Sequence, residues 1–263
     1  MNPTLNPLET ERKAKLRRLA IISLAVVAIL VGCFFGARPA YRSFTGWRSK
    51  RLAAQAEKLI SENQWTQAVQ KAQAAFLLNR TEPAAIHAMA KALTSATNAA
   101  ALPFWQQLIL AGHATDLDRR AFVELAIRTG SLGPAADEMR KLLAEGPNQP
   151  VNLWLASQLF AALGDYSQTV NYATRAQMHD PNNKQYQLFL SSLWFDSSDP
   201  EQRSEARKFV WTIARDGSQI SLEALNFLTR RQDLTTEQRR ELITLLKQHP
   251  LGGISQQLLA LDQ

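Results

Sequence analysis

The sequence predicts an all-α protein: a right-handed helix-turn-helix solenoid of about six units, preceded by one N-terminal transmembrane helix. Three observations carry this. Turn-forming tripeptides recur about every 34 residues between positions 63 and 234. A run near the N-terminus carries 19 residues without a charge. No stretch alternates apolar and polar residues as a half-buried strand would. The length of 263 residues and a hydrophobic content of 46% allow a sizeable core.

Residues 1–18 form a basic tail with Arg12, Lys13, Lys15, Arg17 and Arg18. Residues 19–37, "LAIISLAVVAILVGCFFGA", follow, with Ser23 as the one strongly polar member. At about 1.5 Å per residue this run is roughly 28 Å long, the thickness of a bilayer core. Its apolar residues face all round, so no soluble amphipathic helix fits. The lone cysteine, Cys33, lies inside it and offers an alternative, since Leu30-Val31-Gly32-Cys33 has the look of a lipoprotein acylation site. Phe34 and Phe35 carry the apolar run past Cys33, which favours a span over a lipidation site.

The two flanks carry five cations each, so charge alone does not orient the span. A long following domain crosses largely regardless of charge. The expected arrangement is a single-pass protein of a bacterial inner membrane, with its repeat domain extracytoplasmic, in the periplasm. Residues 38–49 read as a juxtamembrane linker in which Tyr41, Phe44 and Trp47 alternate with arginines, the composition of an interfacial belt.

The repeat domain is expected over 50–250. Its turns are Asn63-Gln64-Trp65, Thr97-Asn98-Ala99, Gly130-Ser131-Leu132, Gly164-Asp165-Tyr166, Ser198-Asp199-Pro200 and Gln232-Asp233-Leu234. Their last residues are 34, 33, 34, 34 and 34 apart. In that register Ala56, Ala90, Val123, Ser157, Ser191 and Leu225 share one position, mostly small, where helices approach closely. Three residues on come Leu59, Leu93, Ala126, Phe160, Trp194 and Leu228, mostly large and apolar. Ser198 or Asp199 before Pro200, and Thr235 with Thr236, read as helix starts. Residues 251–263 are expected to cap the last unit with a short helix.

The copy at 153–183 has Gly164-Asp165-Tyr166 at its turn, Ala173 and Ala176 on its second helix, and Asp180-Pro181-Asn182-Asn183 at its exit. This resembles a tetratricopeptide repeat. The first copy keeps the pattern with Trp65, Ala68, Ala72 and Ala75, and the third with Gly130, Ala135 and Pro147. Copies two, five and six are degenerate. The resemblance implies a protein-interaction module with a role in envelope assembly, secretion or scaffolding.

The net charge of +7 invites a nucleic-acid reading. Residues 1–51 hold ten Lys or Arg against two acids, leaving 20 basic and 21 acidic residues beyond them. The body is therefore neutral and lacks the basic stripe that nucleic-acid binding needs. One cysteine excludes a disulfide framework and a paired-cysteine metal knuckle. No phosphate loop, dinucleotide fingerprint, zinc helix or nucleophile elbow is present. His113, His179 and His249 fall at the ends of second helices, where the dipole favours a cation. No catalysis, metal, cofactor or small-molecule substrate is expected.

A helical solenoid offers instead a concave surface made by its first helices. The inner positions in this register are His87, Lys91, Arg120, Glu124, Arg128, Trp154, Gln158, Gln185, Leu188, Ser192, Phe195, Asp196, Asn226 and Arg230. Trp154, Leu188 and Phe195 are expected to be apolar anchors for a partner peptide or helix. The expected function is a membrane-tethered protein-protein interaction scaffold. The alternative is a self-assembling structural component of an envelope or secretion complex.

Overall fold

The computed structural model describes residues 43–249. The expected transmembrane segment 19–37, with Cys33, and the expected terminal helix 251–263 lie outside the described residues. Among those described there are twelve α-helices, one short 3-10 turn at Ala99–Ala101, and no strand. They pair as six hairpins. Helix α1 runs over 43–61 and α2 over Trp65–Leu78. Then come α3 (Pro83–Ser95) with α4 (Leu102–Leu110), α5 (Asp116–Arg128) with α6 (Leu132–Glu145), and α7 (Pro150–Leu163) with α8 (Tyr166–His179). The last are α9 (Lys184–Trp194) with α10 (Pro200–Arg215), and α11 (Ser221–Thr229) with α12 (Thr236–Gln248). Each predicted turn falls between the two helices of one hairpin. The expected linker differs: its residues from 43 on are already helical and continuous with the first repeat helix.

The turns share a local cause. Asn63, Thr97, Gly130 and Gly164 all take positive φ, at 58, 50, 75 and 78°. In each case the next backbone N–H reaches back five residues: Gln64 to Leu59, Asn98 to Leu93, Ser131 to Ala126 and Asp165 to Phe160. This is the 6→1 closure that ends a helix on a left-handed residue. Glycine takes that conformation without steric cost and asparagine tolerates it, whereas β-branched Thr97 is strained there. The exits also repeat in the copies with the clearest motif. Glu82, Gln149 and Asn183 donate their N–H groups to the carbonyls of Asn79, Gly146 and Asp180. Pro83 and Pro150 then open the next helix, and the Asn183 side chain caps α9. Asp199 caps α10 at Pro200, and Thr235 forms a capping box with Gln238.

The chain divides into two compact units, one ending at His113 and one starting at Ala114. The N-terminal unit has an alanine core of Ala53, Ala56, Ala72, Ala75, Ala85, Ala88 and Ala92 with Met89. Such small side chains let helices approach closely, and Phe76 of α2 closes the packing edge-on against Phe104 of α4. In the C-terminal unit each helix packs on the next, and α5 also packs on α7. Asn152, almost wholly buried, ties three helices together there. Its Nδ2 donates to the Leu142 carbonyl at 3.0 Å, and its Oδ1 accepts from Arg120 Nε at 2.8 Å. Arg119 beside it binds Glu138 and Glu145 of α6. The final two hairpins bury Phe195, Val210, Trp211, Leu225, Leu228, Leu242 and Leu246 in one cluster. The small column of the repeat is buried at Ala56, Ala90, Val123, Ser157 and Leu225. The larger column is only half-buried at Leu59, Leu93, Phe160 and Trp194.

Three outcomes are expected. Thr97→Gly relieves strain and raises stability by about 1 kcal/mol, whereas Gly164→Ala lowers it by about 1–2 kcal/mol, read from urea unfolding midpoints. Asn152→Ala removes the buried amide that bonds both the Leu142 carbonyl and Arg120 Nε, and costs about 1–3 kcal/mol in the same measurement. Stability also falls in acid. Arg119 holds the Glu145 carboxyl below its ordinary value of 4.5, Arg215 does the same for Glu241, and Lys184 holds Asp216 below 3.8. Depressed folded values mean that this stabilisation is complete above the ordinary values, begins to fall below them, and is lost as pH falls through the lower folded values. The melting temperature should therefore be level down to about pH 5 and then decline.

Candidate functional site

Helices α5, α7, α9 and α11 are the first helices of their hairpins, and together they wall a cavity of about 290 Å³. Glu124 and Arg128 come from α5, Trp154 and Gln158 from α7, Gln185, Leu188, Phe189 and Ser192 from α9, and Glu223 and Phe227 from α11. On a helix these positions are three or four apart and share one face. The floor is apolar. The Trp154 ring lies 5.7 Å from that of Tyr186, centroid to centroid. The cavity lies just below the roughly 300–1,000 Å³ of small-molecule pockets, so it suits one or two partner side chains.

Three of the polar side chains here are committed. Arg128 donates to Glu124 at 2.5 Å, and the Ser192 hydroxyl donates to the Phe189 carbonyl at 2.6 Å. The Trp154 indole N–H is sequestered from solvent and has no acceptor among the described residues. A buried donor without a partner is uncommon in folded proteins. Burial raises the Tyr186 phenol above its ordinary value, with the Asp180 carboxylate adding to the effect.

The structure brings together seven of the fourteen inner positions that the sequence names: Glu124, Arg128, Trp154, Gln158, Gln185, Leu188 and Ser192. His87 and Lys91 belong to α3 of the N-terminal unit. His87 Nδ1 is 2.8 Å from Glu57 Oε1, and its ring meets Trp105 edge-on. Arg120 is spent on Asn152 and Gln149. Arg230 is exposed at the end of α11, away from the cavity wall.

Phe195 needs correction. It was expected to stand open in the groove, but it is 1% exposed and belongs to the core. It sits just past the end of α9, beneath two guanidiniums, with Arg207 at 4.8 Å and Arg231 at 5.1 Å from its ring centroid. Phe227 packs against its side at 5.2 Å. Those arginines share Asp196 and Asp233 in a four-membered ion network. The cavity residues not singled out are Phe189, Glu223 and Phe227. Phe189 and Phe227 each follow a position that was named, Leu188 and Asn226. A helix face is a stripe about 100° wide, so a single column of the register is narrower than the wall it builds.

A second cavity, of about 260 Å³, is lined by Gln177 of α8, by Gln187, Leu190, Ser191 and Trp194 of α9, and by Gln202, Glu205, Ala206 and Phe209 of α10. The α9 residues lie two positions from those of the first cavity, about 200° round the helix. Helix α9 thus has a cavity on each side. Among the described residues no group of three His, Cys, Asp or Glu side chains is placed to hold a metal ion. No described helix is long and apolar enough to cross a membrane.

No protein-family profile matches the chain, and no curated protein matches it in sequence. Solved structures do match. The chain is similar to PilF of Pseudomonas aeruginosa at 12% identity and a TM-score of 0.57, over 83% of this chain and 99% of that one. It is similar to an RS-1 MamA double mutant at 11% identity and a TM-score of 0.55, over 65% of this chain and 98% of the other. It is also similar to a tetratricopeptide repeat protein from Parabacteroides merdae at 12% identity and a TM-score of 0.53, over 76% and 78% of the two chains. Identities this low establish the fold alone, which is an all-α solenoid of the tetratricopeptide type.

Phe195→Ala should cost about 3–5 kcal/mol in an unfolding experiment, as a buried aromatic does. Gln158→Ala, on the cavity wall, should change stability by about 0.5 kcal/mol or less.

Proposed function

We propose that the chain is a membrane-tethered scaffold that binds a partner peptide or helix in the groove lined by α5, α7, α9 and α11. One observation carries this reading: four successive first helices converge on a cavity with an apolar floor and a polar rim. Trp154, Phe189 and Phe227, backed by the buried Leu188, supply the apolar contact that anchors a partner side chain. Gln158, Gln185 and the Glu124–Arg128 pair supply hydrogen-bonding edges to orient it. The unmet Trp154 N–H belongs to the same wall, and a small turn of the indole would offer it to a partner carbonyl.

The role is binding rather than catalysis: on the cavity wall the Ser192 hydroxyl donates to the Phe189 carbonyl and the Glu124 carboxylate is held by Arg128. The tether is the uncharged run of residues 19–37, with the repeat domain on the extracytoplasmic side. The fold likeness to known tetratricopeptide proteins supports the interaction role by analogy.

A photo-crosslinking residue at position 158, in the full chain in its native membrane, should capture a protein partner. Trp154→Ala should weaken that capture by about 2 kcal/mol, the scale of an interface anchor. An adduct pattern unchanged by Trp154→Ala would show that the groove is not the binding surface.

A further inference from the structure

We propose that the outer face of the first turns of α1 is a lipid-contact surface, seated in the headgroup layer of an anionic bilayer. Phe44 and Trp47 are 53% and 56% exposed, and both begin the described chain on a regular helix. Phe44, Trp47, Arg48 and Arg51 are spaced i, i+3, i+4 and i+7, which places them on one helix face. The Arg48 guanidinium lies 5.7 Å from the Phe44 ring centroid, and the Arg51 guanidinium 5.7 Å from that of Trp47. The opposite face is the packed one. Ser49, Ala53 and Ala56 are buried there, and the Ser49 hydroxyl donates to the Ala75 carbonyl at 2.8 Å.

The charges separate a lipid occupant from a protein one. Among the described residues Arg48 and Arg51 have no carboxylate partner, whereas neighbouring Lys50 reaches Glu82 at 3.7 Å. Farther along, the outward residues turn polar and balanced, as in the Lys58–Glu62 pair. The aromatic and cationic face is thus confined to the turns nearest the apolar run. That run ends at Ala37, six residues before the first described helical residue. Six residues span at most about 20 Å. A helix held that close to a bilayer, showing rings toward the interface and unpaired cations toward anionic headgroups, has the chemistry of an interfacial segment.

The inference rests on the membrane tether proposed above. The test uses the full chain in bilayers of phosphatidylcholine with brominated phosphatidylglycerol. Bromine quenches tryptophans at its depth, and Trp47 is one of six in the chain. The expected result is lipid-dependent quenching that Trp47→Phe largely removes. Arg48→Gln with Arg51→Gln should reduce that quenching in phosphatidylglycerol and not in brominated phosphatidylcholine. A chain that enters the bilayer and is quenched equally with and without Trp47 would overturn the lipid face and leave the tether standing. The face would then be a protein contact. A chain that does not associate with the bilayer would overturn both.

Discussion

A left-handed residue closes the first helix in each of the first four hairpins, and one backbone hydrogen bond locks it. This closure reverses the chain within a few residues and lets the second helix fall directly against the first. Everything else in the repeat depends on that reversal. It places the small column, Ala56 through Ser157, at the point of closest approach, where larger side chains would force the pair apart. In the C-terminal unit it also lets α5 pack on α7. The cavity of the C-terminal unit exists because α5, α7, α9 and α11 all return to the same side.

The core chemistry follows from this geometry and differs along the chain. Close helix approach in the N-terminal unit is met with alanines and a few aromatics at the edges. In the middle of the C-terminal unit a buried polar link, Arg120 to Asn152 to the Leu142 carbonyl, joins α5, α7 and α6. A satisfied polar network of this kind specifies one register more sharply than apolar packing does. Several arginines of the C-terminal unit are therefore structural. Arg119, Arg120, Arg207 and Arg231 each hold a neighbouring element, whereas Arg128 pairs with Glu124 on the rim of the groove.

The hairpins and their turns were legible because the repeat imposes the same backbone demand every 34 residues. Glycine, asparagine and proline answer that demand visibly in the chain. The start of α1 was harder to read, since aromatics mixed with arginines resemble a linker as much as an amphipathic turn. Seven of the ten residues lining the groove were readable because they project from helix positions in a regular register. Phe195 escaped that logic. It lies one residue past the end of α9, where the helical register no longer says which way a side chain points. Arg120 escaped it for another reason, because its partner Asn152 is 32 residues away and a pairing so distant leaves no local trace.

The last two hairpins omit the left-handed closure. Ser198 and Gln232 stand where the other copies have their positive-φ residue, and the connections run over 195–199 and 230–235. The Asp196, Arg207, Arg231 and Asp233 network joins these two loops instead. A backbone closure is indifferent to ionic strength, whereas exposed ion pairs weaken as counterions screen them. The chain thus carries two kinds of fastening. The turns of its earlier hairpins close independently of salt, while the ion network across its final two loops weakens as ionic strength rises.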